Sequence, residues 1–397
     1  MKVFITLIFS IICVSAFSQK RDNRIVIGTI DTVYSKILNE KRTLMIHVPQ
    51  GNKDERYPVL YLLDGEDHFY SAVGIVKQMA GVIPDMIIVG IANTVRDRDL
   101  TPTHVKTNNG QDNLSGGGEN FTRFIADELF PYVDAHYPTA PYRVLSGHSL
   151  GGLTVVNILL NHTKMFNAYI AIEPSLWWDS KKLLKQAQQQ LASIDLSKKS
   201  LFVAIANNMP PGVDTISVMK DTLNSNTQVT RSVLPFVKAL KDAKPKSLRW
   251  GYKFYPNERH GTVELNAEYD ALRYLFNYYP FRSSQFDEHP KLNVDSVLAA
   301  HFKMLSDNFG YTELPPESLV NSLAYHCWEL NKPKEAFSLF KRNVDNHPQS
   351  ANAFDSLGDF YAGTGDKQKA IEAYGRSLSL QETVDTRRKL EELKAKK

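Results

Sequence analysis

Gly147-His148-Ser149-Leu150-Gly151 is the stretch that most narrows what this chain can fold into. Val144 and Leu145 before it have the character of a buried strand, and 153–160 after it is an apolar helical run. Ser149 therefore falls at a sharp strand-to-helix turn. The G-x-S-x-G spacing has a steric reason, because only residues without Cβ at 147 and 151 let strand and helix approach so closely. The helix N-terminus then lies under the serine oxygen, where free N–H groups and the positive dipole end suit a developing oxyanion. The pattern predicts a nucleophilic serine at position 149.

The flanking sequence supplies the scaffold such a turn needs. Residues 24–49 alternate apolar and polar, as an antiparallel strand pair does. Segments 58–63, 86–91, 168–172 and 201–206 are almost wholly apolar, which suits strands covered on both faces, and 250–255 is read as a further strand. Helical spacing lies between them at 69–79, 119–133, 229–240 and 265–279. The alternation predicts an α/β protein with a mostly parallel sheet covered by helices on both faces.

From Leu292 onward the strand pattern stops. A shift of 34 residues lays Leu323 on Leu357, Ala324 on Gly358, Ala336 on Ala370 and Phe340 on Tyr374, the tetratricopeptide period. A small all-α, tetratricopeptide-like domain is expected over 284–397, after an α/β domain over 19–283. The tail serves either as a groove for a protein partner or as a packing arm against the catalytic domain or a second subunit.

A serine needs a base, and the base needs an orienting acid, in the chain order Ser, acid, His. Of 11 histidines only His162, His260 and His289 follow Ser149 before the linker ends. His162 closes the turn's own helix and His289 lies in the linker, which leaves His260, in a loop after the last strand. The acid is expected beyond strand 201–206, where Asp214 is the first carboxylate; Glu258, two residues from His260, is the alternative. Backbone N–H groups of Leu150 and Glu66 are the expected oxyanion donors. A long Asn- and Gly-rich connection after strand 86–91 should overhang the crevice, so that Arg96, Arg98 and His104 could meet an anionic substrate. The alternative is that Arg98 and Asp99 pin this loop. Trp177 and Trp178 form either an aromatic wall or part of the core.

Residues 59–65 and 98–103, the serine turn and the segment 260–263 together resemble the Putative esterase family of α/β-hydrolases, which includes esterase D, enterochelin and feruloyl esterases and antigen 85 mycolyltransferases. The resemblance covers residues 24–280 and implies the fold, serine hydrolase chemistry and an oxyanion turn at Asp64-Gly65-Glu66. Glu173 stands where relatives often carry a small residue before proline, and a carboxylate there could alter the pocket.

Lys2, the apolar run 3–14 and Ala16-Phe17-Ser18 read as a signal peptide over 1–18, giving an exported, periplasmic or secreted protein with no membrane span after cleavage. Cys13 gives a weaker lipoprotein reading. Its removal leaves Cys327 alone, so no intramolecular disulfide is expected. A net charge of +4 with no basic cluster argues against nucleic acid, and no cofactor or metal is called for. The expected activity is hydrolysis of carboxylic esters of a small molecule or glycan, with ferric siderophore, feruloyl and acetyl-sugar esters as candidates. Acyl transfer, or a non-catalytic binding role using the repeats, are the alternatives.

Overall fold

The computed structural model describes residues 23–51, 55–106, 113–221, 224–245 and 248–395. The expected signal peptide and Cys13 lie outside them. Among the described residues no helix is long and apolar enough to cross a membrane.

Eight strands form one sheet: β1 Thr29–Ser35, β2 Glu40–His47, β3 Tyr57–Leu62, β4 Ile87–Ile91, β5 Thr139–His148, β6 Ala168–Ile172, β7 Lys199–Ala206 and β8 Leu248–Tyr255. Their spatial order is β1-β2-β4-β3-β5-β6-β7-β8. The edge pair β1/β2 and the β2/β4 contact are antiparallel, and every other neighbouring pair is parallel. The apolar runs of β3 and β4 are buried at every residue, because helices cover both faces.

Successive residues of each strand point to opposite faces, so two cores form. Val59, Tyr61, Leu145, Tyr169 and Val203 face one layer, built from α3 Gly118–Phe124, α4 Phe130–His136, α5 Leu150–Asn161, α6 Trp178–Gln190 and α7 Thr230–Ala243. Leu60, Leu62, Val144, Ile170 and Phe202 face the other, where α1 Gly65–Gln78 and α8 Glu264–Leu275 lie. A four-residue helix, α2 Arg96–Asp99, sits in the loop after β4. The helix expected over 119–133 divides: a π-turn at Ile125–Leu129 separates α3 from α4. Pro131 offers no N–H to the carbonyl four residues earlier and crowds it, which a wider turn relieves.

A short helix, α9 Gln285–Glu288, leads into six more: α10 Val294–Phe309, α11 Glu317–Glu329, α12 Pro333–Asn346, α13 Ala351–Gly363, α14 Lys367–Leu380 and α15 Val384–Ala395. They form stacked hairpins with the expected small residues at the crossings; a Cβ on Gly358 would come 2.5 Å from the Tyr374 ring. Tyr325 donates to Asp359, one 34-residue period on, at 3.0 Å. The second core does not end at the linker. Phe309 of α10 packs on Tyr142 of β5 at 5.2 Å between ring centroids and on Phe276 after α8 at 6.2 Å, so the tail's first helix shares the second core.

Candidate active site

The turn at Ser149 is built as its glycines require. Ser149 has φ 59° and ψ −114°, a backbone state a side chain adopts only under constraint. A Cβ on Gly147 would lie 2.5 Å from the Gly151 carbonyl carbon, and one on Gly152 would lie 2.8 Å from Pro174 Cα. The strain is held by Ser149 N–H, which donates to Ile172 O at 3.0 Å, and by Ser175 N–H, which donates to Ser149 O at 3.0 Å.

His260 reaches the serine from the loop after β8, its Nε2 3.1 Å from Ser149 Oγ. Its Nδ1 lies 3.1 Å from Glu173 Oε2. Glu173 is fully buried at the carboxyl end of β6, with φ 46°. Ala206 N–H donates to its Oε1 at 2.7 Å and Asn208 Nδ2 to its Oε2 at 2.6 Å. Asn208 also accepts from the His260 N–H at 2.8 Å, so one amide holds both the acid and the histidine. A carboxylate without exposure needs such partners, since burying it unpaired costs several kcal/mol, on the order of the Born penalty after relaxation.

The structure places neither expected acid against His260. Asp214 is exposed, and its carboxylate accepts from the backbone N–H of Ser217 and of Ile216 and from the Ser217 hydroxyl. Those bonds, the Ser217 backbone first, hold its carboxyl below the usual range. Glu258 accepts from Thr262 and Asn266 at 2.7 Å each. The carboxylate that meets His260 lies one strand earlier than expected, at the end of β6, because β6 is the neighbour of β5 and its end faces the serine turn. Glu-Pro directly after an all-apolar strand was the available signal, since an ionisable residue rarely enters such a position without a partner.

Leu150 is the first residue of α5 and Glu66 the second of α1, so both contribute N–H groups from helix N-termini beside the turn. Asp64, in the left-handed conformation at the start of α1, receives Arg96 through Nε at 2.6 Å and Nη2 at 2.9 Å. Arg96 also reaches His148 O at 3.4 Å, so it braces the turn while keeping about a third of its side chain exposed. Arg98 does not face the crevice as a free cation. It binds Glu40 at 2.7 and 3.1 Å and Asp99 at 2.7 Å, pinning the loop to β2. Burial alone would raise the Glu40 carboxyl, but Arg98, Thr94 and Arg42 hold it at about 2. His104 Nδ1 lies 3.0 Å from Ser115 O, within the loop itself.

The two tryptophans separate. Both pack on the core, but Trp177 also lines the cleft over Ser149, whereas Trp178 donates through Nε1 to Thr103 O at 3.1 Å. The cleft holds about 380 Å³ and is further walled by Ser175, Asn208, Asn226, Gln228 and Arg259. Sequence reasoning had no means to gather these side chains, which come from the three connections after β6, β7 and β8.

Known proteins resemble this chain in sequence and fold. A family model described as Putative esterase matches residues 35–208. The ferri-bacillibactin esterase BesA of Bacillus subtilis is 34% identical over 185 residues, covering 41% of this chain and 63% of BesA. Across the curated relatives first matched, the chain spans 48–63% of their length. An IroE-like serine hydrolase from Shewanella oneidensis has a TM-score of 0.67 and 30% identity, covering 80% of this chain and 99% of that one. A protein from Capnocytophaga ochracea, 20% identical with a TM-score of 0.63, shares the fold over 92% of this chain and 99% of its own.

Proposed function

Because this chain belongs to the Putative esterase family of α/β-hydrolases, we propose that it is a serine esterase acting on siderophore-type esters, with Ser149, His260 and Glu173 as its triad. The observation that carries this reading is the unbroken chain of contacts from Ser149 Oγ to His260 Nε2 and from His260 Nδ1 to Glu173, each 3.1 Å.

In this reading Ser149 Oγ attacks the ester carbonyl while His260 Nε2 takes its proton. Glu173 holds the imidazole in the tautomer with Nδ1 protonated and stabilises the imidazolium. The oxyanion of the tetrahedral intermediate accepts from the backbone N–H groups of Leu150 and Glu66. His260 returns its proton to the leaving alcohol, and water, deprotonated by His260, then releases the acyl group from Ser149. Substrate class follows from the relatives named as ferri-bacillibactin, enterobactin and triacetylfusarinine C esterases. The cleft's composition supports it: amides and Arg259 supply donors to an anionic or carbonyl-rich ligand, and Trp177 supplies an aromatic face.

Export through residues 1–18 and domain limits near 283 belong to the same proposal. The tail is read as a tetratricopeptide-like packing arm on the hydrolase domain, supported by the Phe309 contacts with Tyr142 and Phe276.

A fluorophosphonate probe followed by a panel of siderophore, feruloyl and acetyl-sugar esters tests the reading. Wild-type protein is expected to be labelled and to favour the siderophore ester, and Ser149→Ala to show neither property. Equal labelling of the two proteins would sink the assignment of Ser149.

A further inference from the structure

A second group of side chains lies beside His260 and takes no part in the ester chemistry. His148, the residue before the nucleophile, brings its ring to 4.5 Å from that of His260, centroid to centroid. Its Nδ1 is 2.8 Å from Glu264 Oε1, at the first residue of α8. His68, from the first turn of α1, presents its ring edge to His148 at 6.3 Å between centroids. One ligand atom from each of His68, His148 and Glu264 falls within 4.8 Å of the other two.

Three elements distant in sequence thus converge two imidazoles and one carboxylate on one point. A hydrogen bond between His148 and Glu264 would by itself need no third titratable group there. The surroundings also differ from those of a closed ion pair. The three residues line a small cavity of about 10 Å³, close to the space one water or one ion needs, together with Ser146 and Glu268. Two buried polar atoms on that lining, His148 Nε2 and Glu268 Oε1, have no hydrogen-bond partner among the described residues. Such orphan atoms are rare in folded proteins and point to a missing water or ion.

We propose that His68, His148 and Glu264 form a binding site for a divalent first-row transition cation of the zinc class, set directly against the triad histidine. Donor chemistry selects the class. Imidazole nitrogens favour Zn²⁺ and its neighbours, whereas Mg²⁺ and Ca²⁺ take oxygen ligands almost throughout. Three protein ligands leave at least one coordination position for water, which the cavity accommodates. The cation would join β5, α1 and α8 at the residue that precedes Ser149.

The test is Zn²⁺ binding to the metal-stripped full chain, read by competition with a chromophoric chelator and by metal content after dialysis. It is performed on Ser149→Ala as well as on wild type, so it stands whether or not the esterase reading does. Both proteins are expected to hold one Zn²⁺ per chain and to melt at a higher temperature with it. His68→Ala and Glu264→Gln should each lose affinity by at least about tenfold, the least that changing even a group behind a ligand costs. His260→Ala and Glu173→Gln should keep it, and Mg²⁺ should not compete. Substoichiometric Zn²⁺ in the wild type overturns the proposal. So does unchanged affinity in either His68→Ala or Glu264→Gln, loss of binding in His260→Ala, or displacement by equimolar Mg²⁺. Circular dichroism of each variant separates lost ligation from lost fold, and a folded Glu264→Gln protein that still binds tightly decides against the site.

Discussion

Glu173 Oε2 lies 3.1 Å from Nδ1 of His260, 87 residues later in the chain, and no solvent reaches the glutamate. The pair joins the end of β6 to the loop after β8, across the intervening β7. Replacing Glu173 with Gln keeps the side chain's size while removing its charge and turning one of two accepting oxygens, both in use, into a donor. Glu173→Gln should lower kcat roughly 10⁴-fold, as an orienting acid's amide does in a serine triad. Asp214→Asn should leave kcat unchanged. Steady-state hydrolysis of a chromogenic ester measures both, and parity between the two variants would return the acid to the loop after β7.

Gly147 faces the Gly151 backbone with no room for a methyl group, the nearest atom being 2.5 Å from the position a Cβ would take. Gly147→Ala should therefore push the turn apart, costing roughly 1–3 kcal/mol of stability as an overpacked site does and displacing Ser149 from His260. Thermal denaturation and probe labelling are expected to fall together. A variant with wild-type labelling would contradict the steric account.

The loop after β4 rests on Arg42, which has no exposed side-chain surface and lies 2.5 Å from an oxygen of Asp99. Asp99→Asn would leave the guanidinium short of its main counter-charge and should destabilise the protein by roughly 3 kcal/mol. Arg98→Ala, at the rim of the same network, should cost about 1 kcal/mol or less and leave KM unchanged. A rise in KM for Arg98→Ala would instead restore it to the substrate.

Glu268 lies buried beneath the serine turn, and Ser146 Oγ donates to it at 2.7 Å. Burial pushes its carboxyl up to about 7, against the Ser146 hydrogen bond. The folded form therefore keeps its proton where the unfolded chain, at an ordinary carboxyl value, has lost it. This contribution to stability is full below about pH 4.5 and declines as pH rises towards about 7, at up to about 1.4 kcal/mol per pH unit. Glu268→Gln should flatten the pH dependence of denaturation midpoints across that window. An unchanged slope would mean the carboxyl ionises normally.

The sequence by itself determined the sheet and the strained turn at Ser149. All-apolar runs such as 59–62 and 87–91 can only be strands covered on both faces, and glycines at 147 and 151 permit one kind of turn around Ser149. The tail's 34-residue spacing likewise shows in local composition, because small residues must recur wherever helices cross. His260 emerged from chain order alone.

Tertiary structure decided which carboxylate lies against that histidine. Proximity in the loop made Glu258 plausible and strand order made Asp214 so, but neither measure contains the fact that β6 lies beside β5 and ends in a buried glutamate. The fate of Arg98 was set by Glu40 on the distant β2, and the gathering of His68, His148 and Glu264 by the packing of α1 and α8 on one face. Periodicity records what each segment must bury, since burial is a property of one side chain and its neighbours in the chain. Pairing of charges depends on distances of a few ångströms between segments, and these exist only once the sheet has been assembled.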